Sequence, residues 1–163
     1  MNTSTRFITV VMAALGMTGI STGSAAAEAA NGAMVPLSAL FRSCDFSKLS
    51  FVAAAGFGSG QASISTSSNT VTADVRFAIG TPNTPYNVRL IQGPRPGTQT
   101  CNTGDPGVAS AVLNTDGNGT GAVTLHDAVR SGANNAWVFI EGPPDPGQIR
   151  GEFYTSEIPT SLG

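Results

Sequence analysis

The stretch LNTDGNGTGAVTLHD, residues 113–127, holds the residues whose types and spacing come nearest to a site. Asp116, Asn118 and Thr120 are spaced two apart, Gly121 follows, and Asp127 stands eleven positions after Asp116. A calcium loop of the EF-hand kind takes oxygen ligands at its first, third, fifth and twelfth positions and Gly at its sixth. These residues meet that register, but with weak ligands. The twelfth position is normally Glu, whose longer arm brings both oxygens to the ion, and a Thr hydroxyl binds less strongly than a carboxylate. Helices flank such loops, whereas SAVLN and AVTLHD alternate as strands do. Asp-Gly and Asn-Gly supply the positive backbone angles of a tight turn. The stretch therefore reads first as a hairpin, with Val123 and Leu125 facing a core and Thr124 and His126 facing water. A calcium site at Asp116, Asn118, Thr120 and Asp127 is the weaker reading.

Little else in the chain points to catalysis. His126 is the one histidine. Zinc and copper-zinc sites need several imidazoles or thiolates, so no metal or other cofactor is expected. Asp127 is its neighbour, but adjacent strand residues point to opposite faces, and no GxSxG elbow presents a serine. Carboxylate pairs for glycoside hydrolysis are available by number, although several of the acids stand in turns. Asp74 and Glu152 read as outward strand residues forming exposed ion pairs with Arg76 and Arg150. Asn118-Gly119-Thr120 is a glycosylation sequon, relevant only in a eukaryotic secretory route. No catalytic residue is assigned. A formal net charge of −2 with no basic cluster gives nucleic acid nothing to hold.

The elements that would position any site begin after a leader. MNTSTRF carries Arg6, the apolar run FITVVMAALGMTGI spans 7–20, and small residues follow. That is the pattern of a secretory signal peptide, shorter than a bilayer span. Residues 1–29 are assigned to it, with cleavage after Ala27 or Ala29. Residues 30–35 are expected to be a flexible tail and 36–163 a single domain. Cys44 and Cys101 lie 57 residues apart. In an exported chain an even pair reads as a disulfide; a redox or metal-binding thiol pair is the alternative.

The body alternates between short apolar-polar stretches and Gly/Pro/Asn/Asp clusters. TVTADVRFAI (70–79) puts Val71, Ala73, Val75, Phe77 and Ile79 on one face, the period of a half-buried strand. YNVRL repeats it with Tyr86, Val88 and Leu90 inward. KLSFVA (48–53), QASIST (61–66), VASAVLN (108–114), GAVTLH (121–126), NAWVFIE (135–141) and QIRGEFYTS (148–156) complete about eight strands. In the last of these Ile149 and Phe153 are expected inward, and Arg150, Glu152 and Tyr154 outward. PLSALFRS (36–43) could make a helical turn or two. NAWVFIE is apolar on both faces. Trp137 and Phe139 therefore either lie under a loop or a second sheet, or form an exposed patch that binds a partner. The pattern predicts an all-β, antiparallel sandwich of Ig-like or Greek-key type with one disulfide.

From Cys44-Asp45 onward the order of features is a Gly-rich hairpin, VTADVRF, PNTPYNVRLIQ, Cys101, LNTDGNGTGAVTL and AWVFIEG. It resembles small exported, uncharacterised β-sandwich proteins of mycobacteria and related actinobacteria, and more loosely CHRD-type sandwich modules. The resemblance covers most of the chain after the leader. It implies a disulfide-stapled sandwich in an extracytoplasmic setting and brings no catalytic residue with it. CHRD-like and dismutase-like sandwiches often hold histidines near a Y-x-V-x strand; YNVRLIQ has none. The expected function is a secreted or envelope-associated, possible cell-wall, non-enzymatic module. It would bind a protein, glycan or lipid and have no transmembrane segment after processing. A small extracellular hydrolase or carbohydrate-active enzyme using loop carboxylates, or a calcium-stabilised module, are the alternatives.

Overall fold

A computed structural model describes residues 32–163. The signal peptide, both cleavage positions and the first two residues of the tail lie outside them. Nine strands follow one another: β1 (Ala33–Ser38), β2 (Ser59–Ser67), β3 (Thr70–Ala78), β4 (Pro85–Gly93), β5 (Val108–Asn114), β6 (Gly121–Ala128), β7 (Asn135–Glu141), β8 (Phe153–Ser156) and β9 (Thr160–Ser161). No helix occurs among the described residues. All pairings are antiparallel and join one sheet in the order β5-β4-β7-β8-β1-β2-β3-β6, with β9 added to β7. The two edges, β5 and β6, lie side by side, so the sheet rolls into a nearly closed barrel. Two separate sheets, as an Ig-like sandwich would have, are not seen in the pairing.

Alternation builds the interior. Val71, Ala73, Val75 and Phe77 on β3, and Tyr86, Val88 and Leu90 on β4, are buried as their period requires. They meet Ala62, Ile64, Leu113, Leu125, Ala136, Val138, Ile140 and Tyr154 in one cluster. Ile79 departs from its row: it lies past the end of β3, 67 % exposed, with φ 61°.

A second cluster lies on the outer face. Ile91, Trp137, Phe139 and Phe153 point away from the barrel interior and are covered by Phe41, Phe46, Val52 and the disulfide. Phe41 packs edge-on to Phe139 and Phe153, at 5.8 and 5.1 Å, and Phe46 edge-on to Trp137 at 5.3 Å. These contacts explain why β7 is apolar on both faces. They also explain why 36–43 is no helix: its first part is β1, and the rest crosses the outer face of the sheet as loop.

Three other expectations give way. Residues 48–53 form turns, because Phe51 (83 % exposed) and Val52 do not share a buried face. Residues 33–35 belong to β1 with Val35 buried, so strand begins inside the expected tail. In 148–156 only Phe153–Ser156 is strand, and the facing differs: Ile149 is 97 % exposed while Tyr154 points into the core. Phe153 is the residue on the outer, loop-covered side.

Cys44 and Cys101 form the disulfide, tying the covering loop to the 94–107 connection. That connection has little apolar content and is ordered by Arg95, 4 % exposed, whose guanidinium donates to the carbonyls of Gln92, Thr100 and Pro106. A Cys44→Ser/Cys101→Ser double variant is expected to lose about 4 kcal/mol, the chain-entropy value for a loop of 57 residues. Urea unfolding measures the loss. The emission of Trp137, the one tryptophan, should move to the red as its cover loosens.

Candidate functional site

Four connections gather at the end of the barrel where β3 finishes: residues 51–58, 79–84, 115–120 and 142–152. Beneath them Phe77, Tyr86 and Tyr154 close the interior, with the Phe77 ring 4.9 Å from Tyr86 and 4.7 Å from Tyr154. Phenols buried at a barrel mouth need partners for their hydroxyls, and Glu152 supplies them. Tyr154 donates to Glu152 Oε2 at 2.5 Å, and Tyr86 and Thr81 donate to Oε1. The two phenol oxygens in turn accept backbone N–H groups of Gly58 and Thr81, each at 2.8 Å. One carboxylate thus ties three connections to two strands.

Burial first, and then the bond to Glu152, push both phenols above the usual tyrosine range. Close approach of the backbone is part of the arrangement. Gly56 has φ +103°, and a side chain there would collide with the Tyr154 hydroxyl and the Glu152 carboxylate.

Above this latch opens a cleft of about 580 Å³. One wall is Ala55–Phe57, another is Thr81 and Thr84, and the third is the Pro-rich segment with Pro143, Pro144, Asp145, Gln148 and Arg150. Glu152 forms its floor. Phe57 and Ile149 are each 97 % exposed, and Ile79 stands on the 79–84 connection at the same end. The end of the barrel thus carries apolar tips around a polar hollow.

The residues singled out from sequence lie elsewhere. Trp137 and Phe139 are 1 % and 3 % exposed beneath Phe46 and Phe41, so neither offers a surface to a partner. Asp116 stands in the arch that precedes β6 and Asp127 near the far end of that strand. At ~3.3 Å per residue the strand sets them on the order of 20 Å apart, which no single ion bridges. Asp127 instead accepts the Gln92 amide at 2.7 Å. Asp116 Oδ1 accepts the N–H groups of Asn118 and Thr120, at 2.8 and 2.9 Å, and these bonds hold its carboxyl below the usual range. No group of three or more metal-ligating side chains occurs among the described residues.

The stretch is a turn, but its flanking strands do not ladder with each other. β5 pairs with β4 and β6 with β3, so 115–120 arches over the seam of the barrel. Gly119, at φ +73°, comes too close to the Gly80 carbonyl for any side chain, and its own carbonyl accepts Gly80 N–H. His126 faces solvent beside Thr72. Neither expected carboxylate-arginine pair forms: Asp74 accepts from Thr124, Arg150 lies 3.9 Å from Glu141, and Glu152 belongs to the tyrosines.

The Tyr86–Glu152–Tyr154 latch escaped the sequence reading because its members come from two strands and a loop. The available signal was glycine: Gly56, Gly58, Gly80 and Gly142 all stand against Phe77 or one of the two tyrosines. Compared with models of known protein families and with curated proteins, the chain matches none.

Two outcomes follow from this geometry. The chain has two tyrosines, so its phenolate absorbance reports on the latch alone. Alkaline titration should show little phenolate at pH 10, then ionisation together with unfolding. Because the folded phenols titrate above the unfolded value of 10.0, their stabilisation is complete below about pH 10 and is lost as pH rises beyond it. At the arch, Asp116→Asn keeps an oxygen acceptor and should leave the thermal midpoint nearly unchanged, whereas Asp116→Ala lowers it. Added calcium is expected to move neither midpoint.

Proposed function

We propose that this protein is an exported, envelope-associated or freely secreted, non-enzymatic module that holds a partner on the loops at one end of its barrel. The observation that carries this reading is the distribution of exposed apolar side chains. Phe57, 97 % exposed, lines the cleft, and Ile149, also 97 % exposed, and Ile79 stand on two other connections at the same end of the barrel, outside its lining. A β-branched residue at positive φ is uncommon and strained. At Ile79 no burial offsets that strain, so its side chain is held out to solvent at a cost. Exposed apolar groups collected at one place mark contact surfaces.

The disulfide supports an oxidising compartment, in line with the leader expected from the sequence. No helix among the described residues is long and apolar enough to cross a membrane. A Greek-key, sandwich-like reading of the rolled sheet goes with this proposal. Strands β4, β5 and β6 follow one another around the barrel, and β3 returns beside β6.

A second reading, a small hydrolase, is favoured by one observation: Asp145 and Glu152 line the same cleft. Against it, Glu152 is engaged by three hydroxyl donors that commit it to the fold.

The test is affinity capture of envelope and culture components with the processed protein. A Phe57→Ser/Ile149→Ser variant should lose the captured component while keeping its thermal midpoint, since both side chains are solvent-exposed. An Ile158→Ser control between β8 and β9, away from these loops and 60 % exposed, should retain it. Equal capture by all three proteins removes the loop end as the contact surface.

A further inference from the structure

We infer that the cleft between residues 55–57 and 143–152 is a binding site for a neutral oligosaccharide. The inference rests on the proposed role of the loop end and goes further, naming the ligand class from the chemistry of the walls.

Size is the first consideration. A cleft of about 580 Å³ lies within the range of small-ligand sites, roughly 300 to 1,000 Å³.

Charge is the second. Asp145 and Glu152 both line the cleft, while the Arg150 guanidinium is drawn to Glu141 and the Phe41 ring, leaving a negative excess. Such walls disfavour phosphates, nucleic acid and anionic headgroups, which collect on cationic sites. A ligand with little net charge fits them better.

Hydrogen-bonding capacity narrows the class. Among the described residues the side chains of Asp145 and Gln148 make no hydrogen bond. Arg150 makes only its long contact to Glu141 and a stack 4.3 Å over the Phe41 ring. Glu152 accepts three hydroxyl donors, and a carboxylate can take about four, so one acceptor position remains on Oε2. The cleft therefore offers carboxylate acceptors and an amide that both donates and accepts, the Arg150 guanidinium being turned toward Phe41 and Glu141. Vicinal sugar hydroxyls, each donor and acceptor, are the complement of that mixture.

The apolar part completes the match. Phe57 stands at the rim with its ring in solvent, and Pro143 and Pro144 stiffen the opposite wall. A pyranose has an apolar C–H face that lies flat on such a ring, while its edge hydroxyls reach the polar groups below. A zwitterionic membrane would also accept Phe57 and Ile149, but it would have to accommodate Asp145 between Pro144 and Pro146 at the same tip. Burying an unpaired carboxylate is costly.

The experiment titrates the processed, oxidised protein with linear gluco-, manno-, galacto- and arabino-hexasaccharides, followed by NMR chemical shifts and calorimetry. At least one series is expected to shift the amides of Phe57, Gln148 and Arg150 in a saturable way. Phe57→Ala should weaken that binding about tenfold, the worth of losing one ring contact. Asp145→Asn and Gln148→Ala should each weaken it with an unchanged thermal midpoint. No saturable shift at these residues with any series overturns the inference. Binding to phosphatidylcholine vesicles that depends on Phe57 and Ile149, without a sugar response, also overturns it while sparing the loop-end proposal. Shortened products from any hexasaccharide, lost in Asp145→Asn, replace the binding reading with the hydrolase. If neither sugar nor vesicle engages the cleft and the Phe57→Ser/Ile149→Ser variant captures as wild type does, both readings fail together.

Discussion

A sheet rolled into a barrel buries its inner face and ordinarily gives its outer face to water. Here the outer face of β4, β7 and β8 carries Ile91, Trp137, Phe139 and Phe153, and the fold depends on covering them. At about 25 cal/mol per Å² of apolar area, aromatic side chains of this size are costly to leave wet. The cover is the long β1–β2 connection, which crosses the outer face with Phe41 and Phe46 turned inward. A segment with so little regular structure has few hydrogen bonds to keep it in place. The Cys44–Cys101 link and the Arg42 guanidinium, bonded to the carbonyls of Phe46, Ser156 and Glu157, hold it against the sheet. Arg42 also lies 4.0 Å over the Phe46 ring, so its charge stays hydrogen-bonded while its body adds to the cover.

The same connection links the covered face to the open end. After crossing the sheet it returns to the barrel mouth as Ala55-Gly56-Phe57-Gly58, and Gly58 N–H bonds the Tyr154 hydroxyl. Tyr154 follows Phe153 in β8. One residue lies under the outer cover and the next closes the interior. Consecutive side chains of a four-residue strand thus couple the disulfide-stapled cover to the Glu152 latch. Loosening the cover should reach the cleft through this short path.

Strands are legible where water on one face and core on the other impose a period of two. β3, β4, β5 and β6 fall where alternation places them, and Tyr86, Val88 and Leu90 point inward as expected. β7 was recognisable as a strand, though its two apolar faces left open what lies on the outer one. The period fails where both faces are covered and the strand is short. In β8 all four residues are buried, so the pattern carries no phase, and Phe153 was read as the inward residue in place of Tyr154. That one-residue slip also turned Glu152 outward and hid the latch. The segment 36–43 misled for a related reason: its apolar residues serve β1 and the outer cover in turn, a spacing that imitates a helical face. Calcium-like spacing at 116–127 arose from two unrelated needs, an acid to cap an arch and an acid to receive Gln92.

The latch also bounds what the open end can do. A carboxylate bonded by Tyr86, Tyr154 and Thr81 is held in one place by three hydroxyl donors from two strands and a loop. Glu152 is therefore a fixed acceptor at the barrel mouth. Asp145, Gln148 and Arg150 belong instead to an exposed segment that β7 and β8 anchor only at its ends. Under the proposed reading, a floor held by three hydrogen bonds beside polar side chains left free to bond suits recognition, whereas bond cleavage needs all its groups held to within a fraction of an ångström.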